Sequence, residues 1–202
     1  MSIATQPYEQ CLELPVFPVR RFTVEEYHRM GEAGVLTEED QVELLEGWIV
    51  RKMIRKPIHD GMVAVIRRAL AAVLPEGWHV RVQSAVTTND SEPEPDLAVV
   101  MGPERNYLTK HPLPRDVALV VEVAETSLDR DRNKRRLYAR AGIPGYWIIN
   151  LSEAIVETYT QPSHAEGVPA YDEQQNYSRD ELVPFVIQGR EIVRIPAREL
   201  LP

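Results

Sequence analysis

The residues Val117-Ala118-Leu119-Val120-Val121-Glu122-Val123-Ala124 constrain this chain more than any other stretch. All are apolar except Glu122. A short, valine-rich apolar run fits a strand buried on both faces. Side chains alternate along a strand, so Glu122 shares a face with Val120 and Ala124. A carboxylate there is costly unless something pairs with it. Asp96 raises the same question, because it opens a second apolar run, Leu97 to Met101. Two acids at buried strand positions point to a shared cation.

The segment that follows supplies the cation. Thr126 or Ser127 can cap a helix with Asp129 in its first turn, and Gly142 and Pro144 stop it. At helical spacing Lys134, Leu137, Tyr138 and Ala141 form one stripe, which turns Lys134 toward the sheet. Arg132, Arg135, Arg136 and Arg140 lie mostly on other faces. Two strand carboxylates and an inward ammonium are the composition of a metal-dependent phosphodiesterase site, with the ion between Asp96 and Glu122 and Lys134 on the water or the scissile phosphate. The same residues also describe an inert buried ion pair in which Lys134 neutralises Glu122.

At 202 residues, one domain with a sizeable core is expected. Residues 1–18 read as a poorly ordered lead-in carrying Pro7, Pro15 and Pro18, and residues 19–202 as the domain. Cys11 is the sole cysteine, which excludes an intrachain disulfide and leaves no zinc spacing. No basic-then-apolar leader and no apolar run near the roughly 18 residues of a membrane span is visible, so a cytoplasmic protein is expected. The net charge of −8 argues against a general nucleic-acid coat. It still allows a local basic rim, for which Arg130 to Arg140 is the candidate; a solvated helix face explains that run equally well.

Thr23 with Glu26 forms a capping-box pattern for a short helix ended by Gly31 and Gly34. Val42–Leu45 and Trp48–Ile54 read as a hairpin around Glu46-Gly47. Ile58 to Leu74 carries a helical stripe closed by Pro75 and Gly77. Trp78 to Thr87 alternates Val80, Val82 and Val86 as a half-buried strand. Residues 102–116 read as a loop. Tyr146–Asn150 and Ala154–Tyr159 form a further hairpin, residues 161–176 a polar loop or a loose strand at Tyr171, and Val183–Ile187 with Glu191–Ile195 a final hairpin before a last turn. This order gives an α/β fold with a mixed sheet flanked by helices.

The chain resembles the Uma-type family of restriction endonucleases, within the PD-(D/E)XK nuclease superfamily. The matching segments are Glu43-Leu44-Leu45-Glu46-Gly47, Glu94-Pro95-Asp96-Leu97, Val121-Glu122-Val123, Lys134 through Tyr138-Ala139 to Ala141-Gly142-Ile143-Pro144, and Tyr146-Trp147-Ile148-Ile149-Asn150. The resemblance covers nearly the whole chain, about Phe22 to Leu201. Two departures stand out. The superfamily lysine normally lies two residues after the acid, where this chain has Ala124; the resemblance places it at Lys134. A Ser-Pro-Ser-like segment after the acid is here Glu125-Thr126-Ser127.

The resemblance implies a restriction-endonuclease-like core with extra N- and C-terminal hairpins. It implies catalytic Asp96, Glu122 and Lys134, with Mg²⁺ or Mn²⁺ on Asp96, Glu122 and the Val123 carbonyl. Glu43, His59 and Tyr138 are accessory candidates. The implied partner is nucleic acid, DNA in the first instance, with a homodimer expected for cutting both strands. Trp48 and Trp147 read as core rather than base-stacking platforms. A scaffold that keeps the fold without turnover is the alternative; divalent-ion binding separates the two.

Overall fold

A computed structural model describes residues 18–164 and 167–202. The expected lead-in over residues 1–18, with Cys11, therefore lies outside the described residues except for Pro18. Among the described residues, no helix is long and apolar enough to cross a membrane.

The valine run becomes β5 (Val117–Ala124), with all of its residues buried. On either side of it in the chain come β3 (Trp78–Val82), β4 (Leu97–Met101), β6 (Gly145–Asn150), β7 (Ile155–Ser163) and β8 (Ala170–Tyr177). Together they form one six-stranded sheet in the order β3-β4-β5-β6-β7-β8. Only β5 and β6 run parallel. A parallel pair needs a long crossover, and helix α3 (Leu128–Arg140) provides it.

Each face of the sheet has its own cover. Helix α2 (Pro57–Val73) buries Met62, Val63, Ile66 and Leu70. These pack with Leu97, Leu119, Val121 and Val123 and with the C-terminal hairpin β9 (Leu182–Ile187) and β10 (Arg190–Pro196). Fully buried side chains such as Ile66 and Leu70 each contribute about 1.5–3 kcal/mol. On the other face, Leu137 and Tyr138 of α3 pack on Val120, Ala124, Tyr146 and Ile148. Glu122 belongs to this second face by strand alternation. Trp147 is core, edge-on to Phe185.

Helix α1 (Val24–Glu32) begins with the expected capping box, Thr23 accepting from the Glu26 N–H and Glu26 accepting from the Thr23 N–H. It runs through Gly31, and the turn to a left-handed backbone comes at Gly34. A hairpin, β1 (Val42–Leu45) and β2 (Trp48–Arg51), turns at Glu46-Gly47, where both residues have positive φ. A side chain at position 47 would also collide with Arg21.

Three expectations need correction. The second hairpin strand was expected to reach Ile54, but β2 ends at Arg51: Gln41 turns left-handed, and its carbonyl accepts one last hydrogen bond, from the Lys52 N–H at 2.7 Å. Ile54 is 95% exposed. The strand expected over Trp78–Thr87 ends at Val82. Gln83, with φ of 47°, breaks the alternation, so Val80 and Val82 meet one core and Val86 the other. Residues 161–176 are strand over more of their length than the polar loop or the loose strand at Tyr171 expected: β7 continues to Ser163, and β8 pairs with it from Val156–Tyr177 to Ser163–Ala170. β8 is a mostly exposed edge, so its polar Asp172 to Asn176 stretch has no buried face to match.

Candidate active site

The antiparallel register of β4 and β5 sets Leu97 opposite Val121. One step along each strand, Asp96 and Glu122 meet. The Asp96 backbone N–H donates to Glu122 Oε2 at 3.3 Å, and the Val123 N–H donates to Asp96 Oδ2 at 2.9 Å. Helix α3 then returns over the sheet. Its Lys134 Nζ lies 3.0 Å from Glu122 Oε1 and 3.2 Å from Glu43 Oε1, which β1 presents. The Tyr138 hydroxyl, one turn on, donates to Glu122 Oε1 at 3.1 Å. From the first turn of α2, His59 Nε2 stands 3.0 Å from Asp96 Oδ2. The structure thus brings together every residue singled out in the sequence. Asp96, Glu122, Lys134, Glu43 and His59 line a cavity of about 80 Å³.

Charge in this cavity is unbalanced. Glu43, Asp96, Glu122 and Asp131 are buried, while Lys134 is the one buried cation among the described residues. Burial pushes the Glu122 carboxyl up to about 8; Lys134 pulls it down, and Asp96, Asp131 and Glu43 push it further up. Burial alone would lower the Lys134 ammonium, but Glu122, Glu43 and Asp131 outweigh it and hold the lysine protonated above its usual range. Glu43 goes the other way. Burial would raise it, yet Lys134, the Glu94 N–H and Arg130 together hold it below the usual carboxylate range. The hydrogen bond to Asp96 raises His59 against the opposing effect of burial.

A family model named Uma2, described as "Putative restriction endonuclease", matches residues 24–192. The chain belongs to the Uma2 family. Among solved structures, a protein from Anabaena variabilis ATCC 29413, described as a putative nuclease belonging to DUF820, shares the fold. It aligns with a TM-score of 0.70 at 17% identity, covering 89% of this chain and 97% of that one. No curated protein matches the chain.

The donor set of this Uma2 member can be tested against a divalent ion. No group of three or more His, Cys, Asp or Glu side chains among the described residues could hold a metal by itself. Magnesium is commonly held by one or two carboxylates and keeps several waters. Asp96 and Glu122 are such a pair, both oxygen donors, where buried carboxylates outnumber the buried cation. Both hydrogen bonds described for the Asp96 side chain fall on Oδ2, leaving Oδ1 for another ligand. The residues fit.

Asp131 is the residue that sequence reasoning missed. It lines the same cavity, 5% exposed, and accepts from Ser127 Oγ at 2.5 Å. Burial raises its carboxyl to about 6, with Lys134 opposing. Its spacing of three before Lys134 and seven before Tyr138 puts it on the inward stripe, a signal the sequence does carry. Ser127, expected as a capping side chain, makes no cap bond to the helix backbone and serves Asp131 instead.

The basic rim at Arg130 to Arg140 is neither free for phosphate nor merely solvated. Arg130 pairs with Glu43, Arg132 with Glu157, Arg136 with Glu46, and Arg140 with Glu46 and Asp90. Arg135 lies over the Tyr159 ring. These side chains fasten α3 to the hairpin and to β7.

Proposed function

We propose that this protein is a metal-dependent endonuclease that hydrolyses phosphodiester bonds of nucleic acid, with DNA as the substrate in the first instance. The observation that carries the proposal is the meeting of Asp96, Glu122 and Lys134 at the floor of one cavity, with more buried carboxylate than buried cation around them. Asp96, Glu122 and the Val123 carbonyl would hold Mg²⁺ or Mn²⁺, which supplies a low-pKa water and polarises the phosphate when bound.

The chain's own groups do the rest. Lys134 keeps its charge and directs a compact ammonium at the attacking water and at the charge developing on the phosphate. Glu43 shares that ammonium and, tied to Arg130, fixes its position. His59 holds the Asp96 carboxylate in place. Tyr138 orients Glu122. The recessed floor keeps bulk water from screening these charges. The described residues of a chain hold one such site, so a break through both strands of a duplex would take two copies.

Plasmid nicking with Mg²⁺ or Mn²⁺ tests this. Asp96→Asn and Glu122→Gln should each abolish cleavage nearly as fully as the double variant, since residues acting as one unit are not additive. Lys134→Ala should lose about a hundredfold or more in rate while remaining folded in Mg²⁺. Lys134→Arg should not rescue fully, because a planar fork replaces a compact charge. The proposal fails if wild type cleaves no plasmid, single-stranded DNA or RNA with either ion, and Lys134→Ala destabilises the fold by about 3–5 kcal/mol regardless of metal. That outcome would make the cluster an inert ion pair in a scaffold.

A further inference from the structure

We infer that the loop Lys52-Met53-Ile54-Arg55-Lys56 is the element that engages the substrate, and that it selects nucleic acid with an unpaired nucleotide over intact duplex. The cleavage part of this rests on the nuclease reading above; the binding part does not.

The loop joins β2 to α2 and lines the cavity that holds Asp96 and Glu122. Its apolar side chains are not used in the core. Ile54 is 95% exposed and Met53 53%, and Ile58, just beyond in α2, is 46% exposed. Scattered exposed apolar residues need no explanation, but two adjacent ones lining a charged cavity do. This pair sits among cations. Arg55 makes no ion pair among the described residues. Lys52 reaches Glu94 at 2.6 Å in a half-buried pair, and Lys56 reaches Glu125 at 2.9 Å in an exposed one, which exchanges partners at little cost.

The chemistry of the rest of the molecule narrows the ligand. Four of the five α3 arginines are paired with intramolecular acids and Arg135 lies over the Tyr159 ring, and the chain is strongly acidic. The positive charge left for phosphates beside the cavity is concentrated in this loop. Apolar side chains flanked by cations are what proteins insert between base steps while neighbouring charges hold the backbone. Opening a paired, stacked step costs a few kcal/mol, and least where the base is already unpaired. Two apolar side chains on one short basic loop offer little wrapped surface to offset that cost on intact duplex. The floor agrees. Asp96 and Glu122 are 6% and 4% exposed at the bottom of a cavity of about 80 Å³, which suits a strand that can bow inward.

Fluorescence anisotropy on the full chain tests the inference, with EDTA and again with Ca²⁺. The probes are short labelled single-stranded DNA, the matched duplex, and the same duplex with a central bulge. The single strand and the bulged duplex should bind about tenfold or more tighter than the matched duplex. The Met53→Ser, Ile54→Ser double variant should lose that preference with an unchanged melting temperature and unchanged matched-duplex affinity. Arg55→Ala should weaken all three probes and lower the salt slope by about 1. Equal affinity for matched and unpaired probes overturns the inference, as does a double variant that keeps the preference. So does a double variant whose only change is its mass in solution, which would put a second copy of the chain on the loop. Selective, loop-dependent binding without any cleavage would sink the nuclease reading and leave this one standing. Metal-dependent cleavage without selectivity would do the reverse.

Discussion

Glu122 carries more of the site than any other side chain. Its Oε1 accepts from Lys134 and Tyr138, and its Oε2 from the Asp96 backbone. Burial first, then three neighbouring carboxylates, raise its carboxyl to about 8 in the folded protein, against about 4.3 in an unfolded chain. Between those values the folded state holds a proton that the unfolded state has released. The resulting stability is full below the lower value and is lost as pH rises through the upper one, at up to about 1.4 kcal/mol per pH unit. Asp131, raised to about 6, and His59, also raised, act in the same direction over part of that range. Glu43, lowered, opposes them only in acid. Urea melts of the metal-free protein should therefore show stability falling from about pH 5 to about pH 8, with the fall flattened in Glu122→Gln. Stability rising over that range would show that Lys134 satisfies Glu122 as an ion pair. His59 is a positioning residue in the same cluster. His59→Ala should cut nicking by about 10- to 100-fold without unfolding the chain, as loss of a partner to a ligating carboxylate does elsewhere. His59→Gln should restore part of the rate, provided its amide reaches Asp96. An unchanged rate in His59→Ala would make the contact incidental.

At the scale of elements, α3 is held by charge on its outer faces and by packing on its inner one. Glu157 of β7 is fully buried and receives Arg132 at 2.6 Å, Tyr159 at 2.6 Å and Asn150 at 3.1 Å. Arg132→Ala would leave a buried carboxylate with two neutral partners. We expect a loss of about 2–3 kcal/mol in urea melts, smaller for Glu157→Gln, which keeps hydrogen-bonding capacity without the charge. Loss of this clamp should also loosen the first turns of α3, where Asp131 and Lys134 stand, so nicking should fall further than stability alone explains. An Arg132→Ala variant with wild-type stability would show that packing by Leu137 and Tyr138 suffices. The hairpin β1–β2 depends on the same helix, through Glu46 to Arg136 and Arg140 and through Glu43 to Arg130 and Lys134.

For the whole molecule, the clustered carboxylates link folding to the divalent ion. If Mg²⁺ binds the native site alone, a concentration about ten times its dissociation constant should stabilise the protein by roughly 1.4 kcal/mol. Asp96→Asn should shrink that gain and raise the metal-free melting temperature, because it removes one of the crowded charges. Equal responses in wild type and variant would place the ion elsewhere.

Much of this was legible in the residues alone. An isolated Glu in an otherwise apolar strand had to find a partner. Leu137, Tyr138 and Ala141 set the phase of the helix, and that phase turned Lys134 inward. Local rules decided these points, because a strand and a helix each fix where neighbouring side chains point. Three further points required the tertiary structure. The left-handed Gln83 ended β3, where valine alternation alone would have continued it. The polar β8 became strand only because β7 offered it an edge. Four of the five α3 arginines, which suit a phosphate rim by composition, were claimed by Glu43, Glu46, Asp90 and Glu157, acids 50 to 94 positions away in most cases and 25 in one. Pairing between distant segments depends on how sheets stack and helices cross, and no local pattern of residues encodes that geometry.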